Sequence, residues 1–147
     1  MRSFVLVLIA GCYAGHFATI TGPFVGTRVS VGCLDVAIAL TEDDLAPSPI
    51  ISYELGNSCF HETMVDFSAV HVVATTADGR QLVLSPFDPR GELKPLQLDA
   101  WTAGDERIAY RSDDAFVPTT VCVDLGRLDA NHPTDPQWRC LAAGGVR

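Results

Sequence analysis

Few residues in this chain have both the chemistry and the spacing to form a site. The densest group is Cys59-Phe60-His61-Glu62. His61 and Glu62, joined by the distant His132, would make a copper or zinc site, because imidazole nitrogen and carboxylate oxygen suit both ions. Two considerations weigh on the other side. Cys59 is expected in a disulfide, and adjacent residues of an extended strand point to opposite faces, so a polar turn between strands accounts for the same residues. His71 stands between Val70 and Val72-Val73, where, if its face is buried, a hydrogen-bonded core histidine is expected rather than a catalytic one. Asp129-Ala-Asn131-His132-Pro-Thr-Asp135 is like a calcium loop, yet it lacks the glycine turn and the closing glutamate of an EF-hand. Glu42, Asp43, Asp44, Asp113 and Asp114 read as solvated loop carboxylates. There is no Gly-x-Ser-x-Gly, no glycine-rich phosphate cradle and no His-Glu-x-x-His. A binding or structural protein without a cofactor is therefore expected rather than an enzyme.

The elements that would position these residues are short strands. Val29 and Val31 alternate with polar neighbours, and Leu34, Val36, Ile38 and Leu40 continue with the opposite parity, which predicts a bulge or break at Gly32-Cys33. The stretch from Thr41 to Pro49 reads as a loop, or one helical turn capped by Thr41. Ile51, Tyr53 and Leu55 form a strand stopped at Gly56-Asn57, and Met64 to Ser68 form another, with Val65 and Phe67 on one face. Val70 to Leu84 read as a hairpin about a two-residue type I′ turn at Asp78-Gly79, pairing Thr75 with Leu82 and Val73 with Leu84. A crossing segment from Pro86 to Gly91 follows, then Leu96 and Leu98, then Ile108 and Tyr110. Val117 to Leu125 make the last strand. Many short strands bounded by Gly, Pro, Asn and Asp, without sustained helical periodicity, predict an all-β antiparallel sandwich.

The chain has 147 residues and a net charge of −8, and Lys94 is its only lysine. That balance excludes nucleic acid and anionic lipid as electrostatic partners. Five cysteines are an odd number. With Cys12 set aside, Cys33, Cys59, Cys122 and Cys140 make an even set that suits two disulfides in an oxidising compartment. Three connectivities are possible. The pairing of Cys33 with Cys59 and Cys122 with Cys140 is expected because both close short loops, each worth about 3 kcal/mol in the chain-entropy account. A four-cysteine zinc site is disfavoured by the lack of any Cys-x-x-Cys pair.

The first residues concern address rather than chemistry. Arg2 is followed by the apolar run Phe4 to Ile9 and the small residues Ala10 and Gly11. This run is too short to span a bilayer, and short enough for a signal peptide to leave open a start upstream of Met1. The alternative is a buried first strand ending at Gly11. Leu8-Ile9-Ala10-Gly11-Cys12 resembles the lipobox of bacterial lipoproteins. The resemblance implies cleavage before Cys12 and a diacylglycerol on its sulfur. It also implies a membrane anchor in the bacterial cell envelope, with Tyr13 at the position where Asp alters sorting in enteric-type members, pointing to the outer membrane. Loss of residues 1–11 would leave 9 basic against 18 acidic residues, a net of −9. Ile51-Ser-Tyr-Glu-Leu-Gly-Asn, Val65-Asp-Phe-Ser, the Ala77-Asp-Gly-Arg hairpin and Ile108-Ala-Tyr are similar to immunoglobulin-like domains, including telokin-like ones, of bacterial surface lipoproteins, over residues 25–125. The expected organisation is a signal over 1–11, a tether over 12–23 and one immunoglobulin-like β-sandwich over 24–147. The expected partner is an envelope protein or the cell wall.

Overall fold

The computed structural model describes residues 28–41, 48–88 and 93–143. The lipobox-like segment with Cys12, the tether, and Glu42, Asp43 and Asp44 lie outside these residues. Among the described residues there are ten strands: β1 (Val29–Val31), β2 (Leu34–Thr41), β3 (Ile50–Asn57), β4 (Thr63–Val65), β5 (His71–Thr76), β6 (Gln81–Phe87), β7 (Leu96–Leu98), β8 (Ala103–Arg111), β9 (Pro118–Asp124) and β10 (Trp138–Ala142). The only helices among the described residues are two 3-10 turns, Phe67–Ala69 and Leu125–Arg127. The protein is all-β and antiparallel. Eight strands form one curled sheet in the order β1-β2-β3-β8-β6-β5-β9-β10, and β4 pairs with β7 in a small second sheet.

The curl has a corner in β6. Its first residues, Gln81 to Leu84, pair with β5, whereas Ser85 to Phe87 pair with β8. A strand that changes partner midway turns the sheet, and Pro86 at the corner lacks a ladder donor there. The two halves thereby enclose one core. Leu34, Val36, Ile51, Tyr53 and Leu55 enter it from one side and Val72, Ala74, Val121 and Val123 from the other, all at most 1% exposed. Val65, Phe67, Leu125 and Leu128 come from connecting segments and join the same core. Each such aliphatic or aromatic side chain contributes about 1.5–3 kcal/mol on burial. Tyr53 stacks at a tilt on Phe67, centroids 5.0 Å apart, and its hydroxyl lies 2.6 Å from that of Tyr110. Burial raises the Tyr53 pKa well above the usual phenol value, and the neighbouring Tyr110 adds to this. Burial pushes Tyr110 up to about 12, partly opposed by its hydrogen bond with Tyr53.

Several local expectations are corrected. The hairpin after β5 has a three-residue loop: Thr76 N donates to Arg80 O at 3.0 Å and Gly79 N to Thr76 O at 2.9 Å. Only Gly79, at φ 81°, takes a positive φ in this turn, whereas type I′ needs two such residues. A type I turn closed by a left-handed glycine results, and the register moves by one residue, pairing Ala74 with Leu82 and Val72 with Leu84. Asp78 braces this loop through the Thr76 hydroxyl and Arg80, which hold its carboxyl below the usual carboxylate range. The parity break at Gly32-Cys33 is a tight hairpin turn, because Val31 pairs with Leu34 and Gly32 has φ 60°. Asp66 accepts from Ser68 N at 2.9 Å and curls the expected strand 64–68 into a 3-10 turn, yet Val65 and Phe67 both remain buried.

The last strand is β10, not the one ending at Leu125. Its burial is nearly uniform along its length, since it sits at the sheet edge, so it carries no alternation to read. Thr119 is an extra residue opposite Thr75 and Thr76. This bulge reverses parity upstream, leaving Val117 80% exposed instead of in the core. His71 is exposed at the start of β5, whose inward positions are Val72 and Ala74, so it is not a core histidine.

Candidate functional site

One end of the molecule is built around Asn57, the last residue of β3, which is fully buried. Its Nδ2 lies 2.9 Å from His61 O, 3.0 Å from Leu98 O and 3.1 Å from Asp99 O, and its Oδ1 accepts from Cys59 N at 2.9 Å. Its backbone is used too: Asn57 N donates to Thr102 O at 2.8 Å and Trp101 N donates to Asn57 O at 2.9 Å. A single amide therefore ties the β3–β4 loop to the β7–β8 turn. The Cys33–Cys59 disulfide, Cα atoms 5.3 Å apart, clamps the same loop to the β1–β2 turn, reinforced by Ser58 N donating to Cys33 O at 2.8 Å.

The rigid loop displays an aromatic pair. Phe60 is 87% exposed and meets Trp101 edge to face, with centroids 4.9 Å apart and planes at 83°. Trp101 has φ 62°, a left-handed conformation that costs a bulky residue roughly 1–2 kcal/mol. The surrounding hydrogen bonds hold it there. An exposed apolar side chain fixed by a disulfide and a buried amide suits a contact surface, since little freedom remains to be lost on binding.

Beside this pair, the structure brings together two of the three residues singled out as metal ligands. The rings of His61 and His132 approach to 5.7 Å between centroids at 45°. The loop carrying His132 is fixed by the Val65–Asp129 bridge and by Ala130 N donating to Met64 O at 3.0 Å. Asp129 is buried, and its Oδ1 accepts from Asn131 N at 2.9 Å and His132 N at 3.0 Å. Its other oxygen lies 3.6 Å from His132 Nδ1. His61 Nδ1 lies 2.9 Å from Glu62 O; a carbonyl only accepts, so the neutral ring carries its proton on Nδ1 and leaves the Nε2 lone pair free.

Glu62 does not join the histidines. Gln97 Nε2 donates to its Oε2 at 2.7 Å. Among the described residues no three His, Cys, Asp or Glu side chains cluster as a metal site would require. Asp129 is buried, and its Oδ1 is occupied by two backbone donors of its own loop. Asp113 and Asp114 lie exposed in the β8–β9 connection, away from these groups. Cys122 and Cys140 form the second disulfide, directly opposed on β9 and β10 with Cα atoms 4.0 Å apart.

Sequence reasoning missed Asn57, Phe60 and Trp101. An aromatic residue between a cysteine and a histidine in a loop was the available signal for Phe60, but the conformation of Trp101 had none. Among the described residues, no helix is long and apolar enough to cross a membrane. Compared with known proteins, the chain matches no family model, and neither a curated protein nor a solved structure is significantly similar to it.

Proposed function

We propose that this is a lipid-anchored protein of the bacterial cell envelope, outer membrane included, whose β domain is a non-catalytic interaction module. Cysteine parity carries the reading. Cys33, Cys59, Cys122 and Cys140 are consumed in two disulfides, so neither bridge uses Cys12, the fifth cysteine of the sequence. A disulfide pair fits an oxidising compartment, and a lipobox-like sequence ends on that same residue. Two acyl chains at about 0.8 kcal/mol per buried CH₂ would hold the domain durably, where one chain holds only marginally. The immunoglobulin-like sandwich belongs to this proposal: the halves β1-β2-β3-β8 and β6-β5-β9-β10 share one core, as the two layers of a sandwich do. The aromatic pair Phe60 and Trp101 is the face offered to an envelope protein or the cell wall. Metabolic labelling with an alkynyl fatty acid tests the anchor. Label is expected on the native protein and lost in Cys12→Ser; label on neither removes the anchor from the proposal.

A second reading, a periplasmic metal- or small-ligand-binding protein, is favoured by the approach of His61 to His132. Metal analysis of the purified, disulfide-oxidised protein tests it, and uptake of neither copper nor zinc ends it.

A further inference from the structure

We propose that His61 and His132 jointly bind one copper ion through their Nε2 atoms; this rests on the second reading above and commits it to an ion and a ligand pair. The two imidazoles come from loops far apart in sequence, and both loops are fixed by hydrogen bonds that do not involve the rings' outer nitrogens. Each ring also has the supporting oxygen that metal-bound histidines use. His61 donates from Nδ1 to the Glu62 carbonyl, and His132 Nδ1 faces the buried Asp129 carboxylate. The first of these is a hydrogen bond and fixes the His61 tautomer with Nε2 left to ligate, whereas the second, at 3.6 Å, sets a carboxylate behind the His132 ring. Two imidazoles bound to one metal at about 2.0 Å place their ring centroids roughly 4.5 Å apart when cis and roughly 6.3 Å apart when trans, so a separation between these limits brings both rings within reach of one ion. The observed separation is 5.7 Å. Both side chains are exposed, so an ion reaches them without opening the fold.

The donor set selects the ion. Calcium and magnesium prefer oxygen cages. Zinc sites use three or four protein ligands, and no third His, Cys, Asp or Glu completes this group among the described residues. Nitrogen donors bind copper most strongly of the first-row divalent ions, so two imidazoles with water completing the shell favour copper over zinc. The net charge of −8 also favours accumulation of a cation.

The test is titration of the untagged, disulfide-oxidised protein with copper(II) chloride and, separately, zinc chloride, followed by calorimetry and electron paramagnetic resonance. Expected are one copper per chain, coupling to two nitrogens, and binding at least tenfold tighter than zinc. His61→Ala and His132→Ala should each weaken copper binding at least tenfold at unchanged melting temperature, while His16→Ala and His71→Ala leave it as it was. Copper bound equally well by His61→Ala/His132→Ala overturns this site while sparing the metal-binding reading. Zinc binding tighter than copper overturns the choice of ion. Uptake of neither metal by the native protein defeats both the site and that reading.

Discussion

Asn57 and the tyrosine pair show how much single side chains decide here. Asn57→Ala would strip a donor from three carbonyls and an acceptor from Cys59 N, with no water-exposed replacement for the buried ones. A loss of about 2–4 kcal/mol is expected in denaturant unfolding, given 1–3 for each buried group left unpaired and partial relaxation. Phe60→Ala is the contrasting case. At 87% exposure its removal should change stability by no more than about 0.5 kcal/mol, while capture of the envelope partner falls. Unchanged capture would free the aromatic pair of any binding role. Tyr53→Phe leaves the Tyr110 hydroxyl buried and unpartnered, at a cost of about 1–3 kcal/mol, and the double replacement with Tyr110→Phe should cost less than the two singles summed. Both phenols have raised pKa values in the folded state. The unfolded chain therefore ionises first, near pH 10, and the stability these tyrosines supply is complete below that pH and lost as pH climbs through the raised folded values, about 12 for Tyr110. Unfolding midpoints measured across that window should fall, and fall less in the double phenylalanine variant. At the same end of the molecule, His61, Glu62 and His132 were legible as site candidates, because their chemistry is visible in their type. Asn57 was not, since its role depends on two loops that meet only in the folded chain.

The strands were easier to read than their connections. Ile51, Tyr53, Leu55, Val121 and Val123 alternate plainly and all lie inside, because a half-buried strand leaves a period of two in the sequence. The same pattern carries no register. Asp78-Gly79 fits both a two-residue and a three-residue turn, and the backbone chose the one in which Asp78 avoids a positive φ. Gly79→Ala should therefore destabilise by about 1–2 kcal/mol through backbone strain alone, as an added Cβ meets nothing within 4 Å. Thermal unfolding of this variant checks the turn assignment, and an unchanged midpoint would contradict it. The corner in β6 and the edge strand β10 were hidden for a related reason: a strand that switches partners, or pairs on one side only, leaves no periodic mark. Removal of the Cys33–Cys59 bridge by double alanine replacement should cost about 2–4 kcal/mol and loosen the loop bearing Phe60 and His61. Hydrogen exchange should then rise at residues 58–62 more than in β5 or β9.

Taken as one object, the molecule is an acidic, disulfide-stapled β domain in which Asn57 and the Cys33–Cys59 bridge tie several loops together at one end. That end carries an exposed aromatic pair and two imidazoles, whereas no buried side-chain polar atom among the described residues lacks a partner. The buried polar side chains are thus satisfied within the fold, and the proposed recognition falls to the loops. The proposed location of all this rests on Cys12, the cysteine that neither bridge uses. Mass spectrometry of the N-terminal peptide from protein extracted from bacterial membranes is the most direct test. The account predicts a chain beginning at Cys12 with a diacylglycerol mass on its sulfur. An unmodified Cys12, or a peptide that still carries residues 1–11, would contradict it.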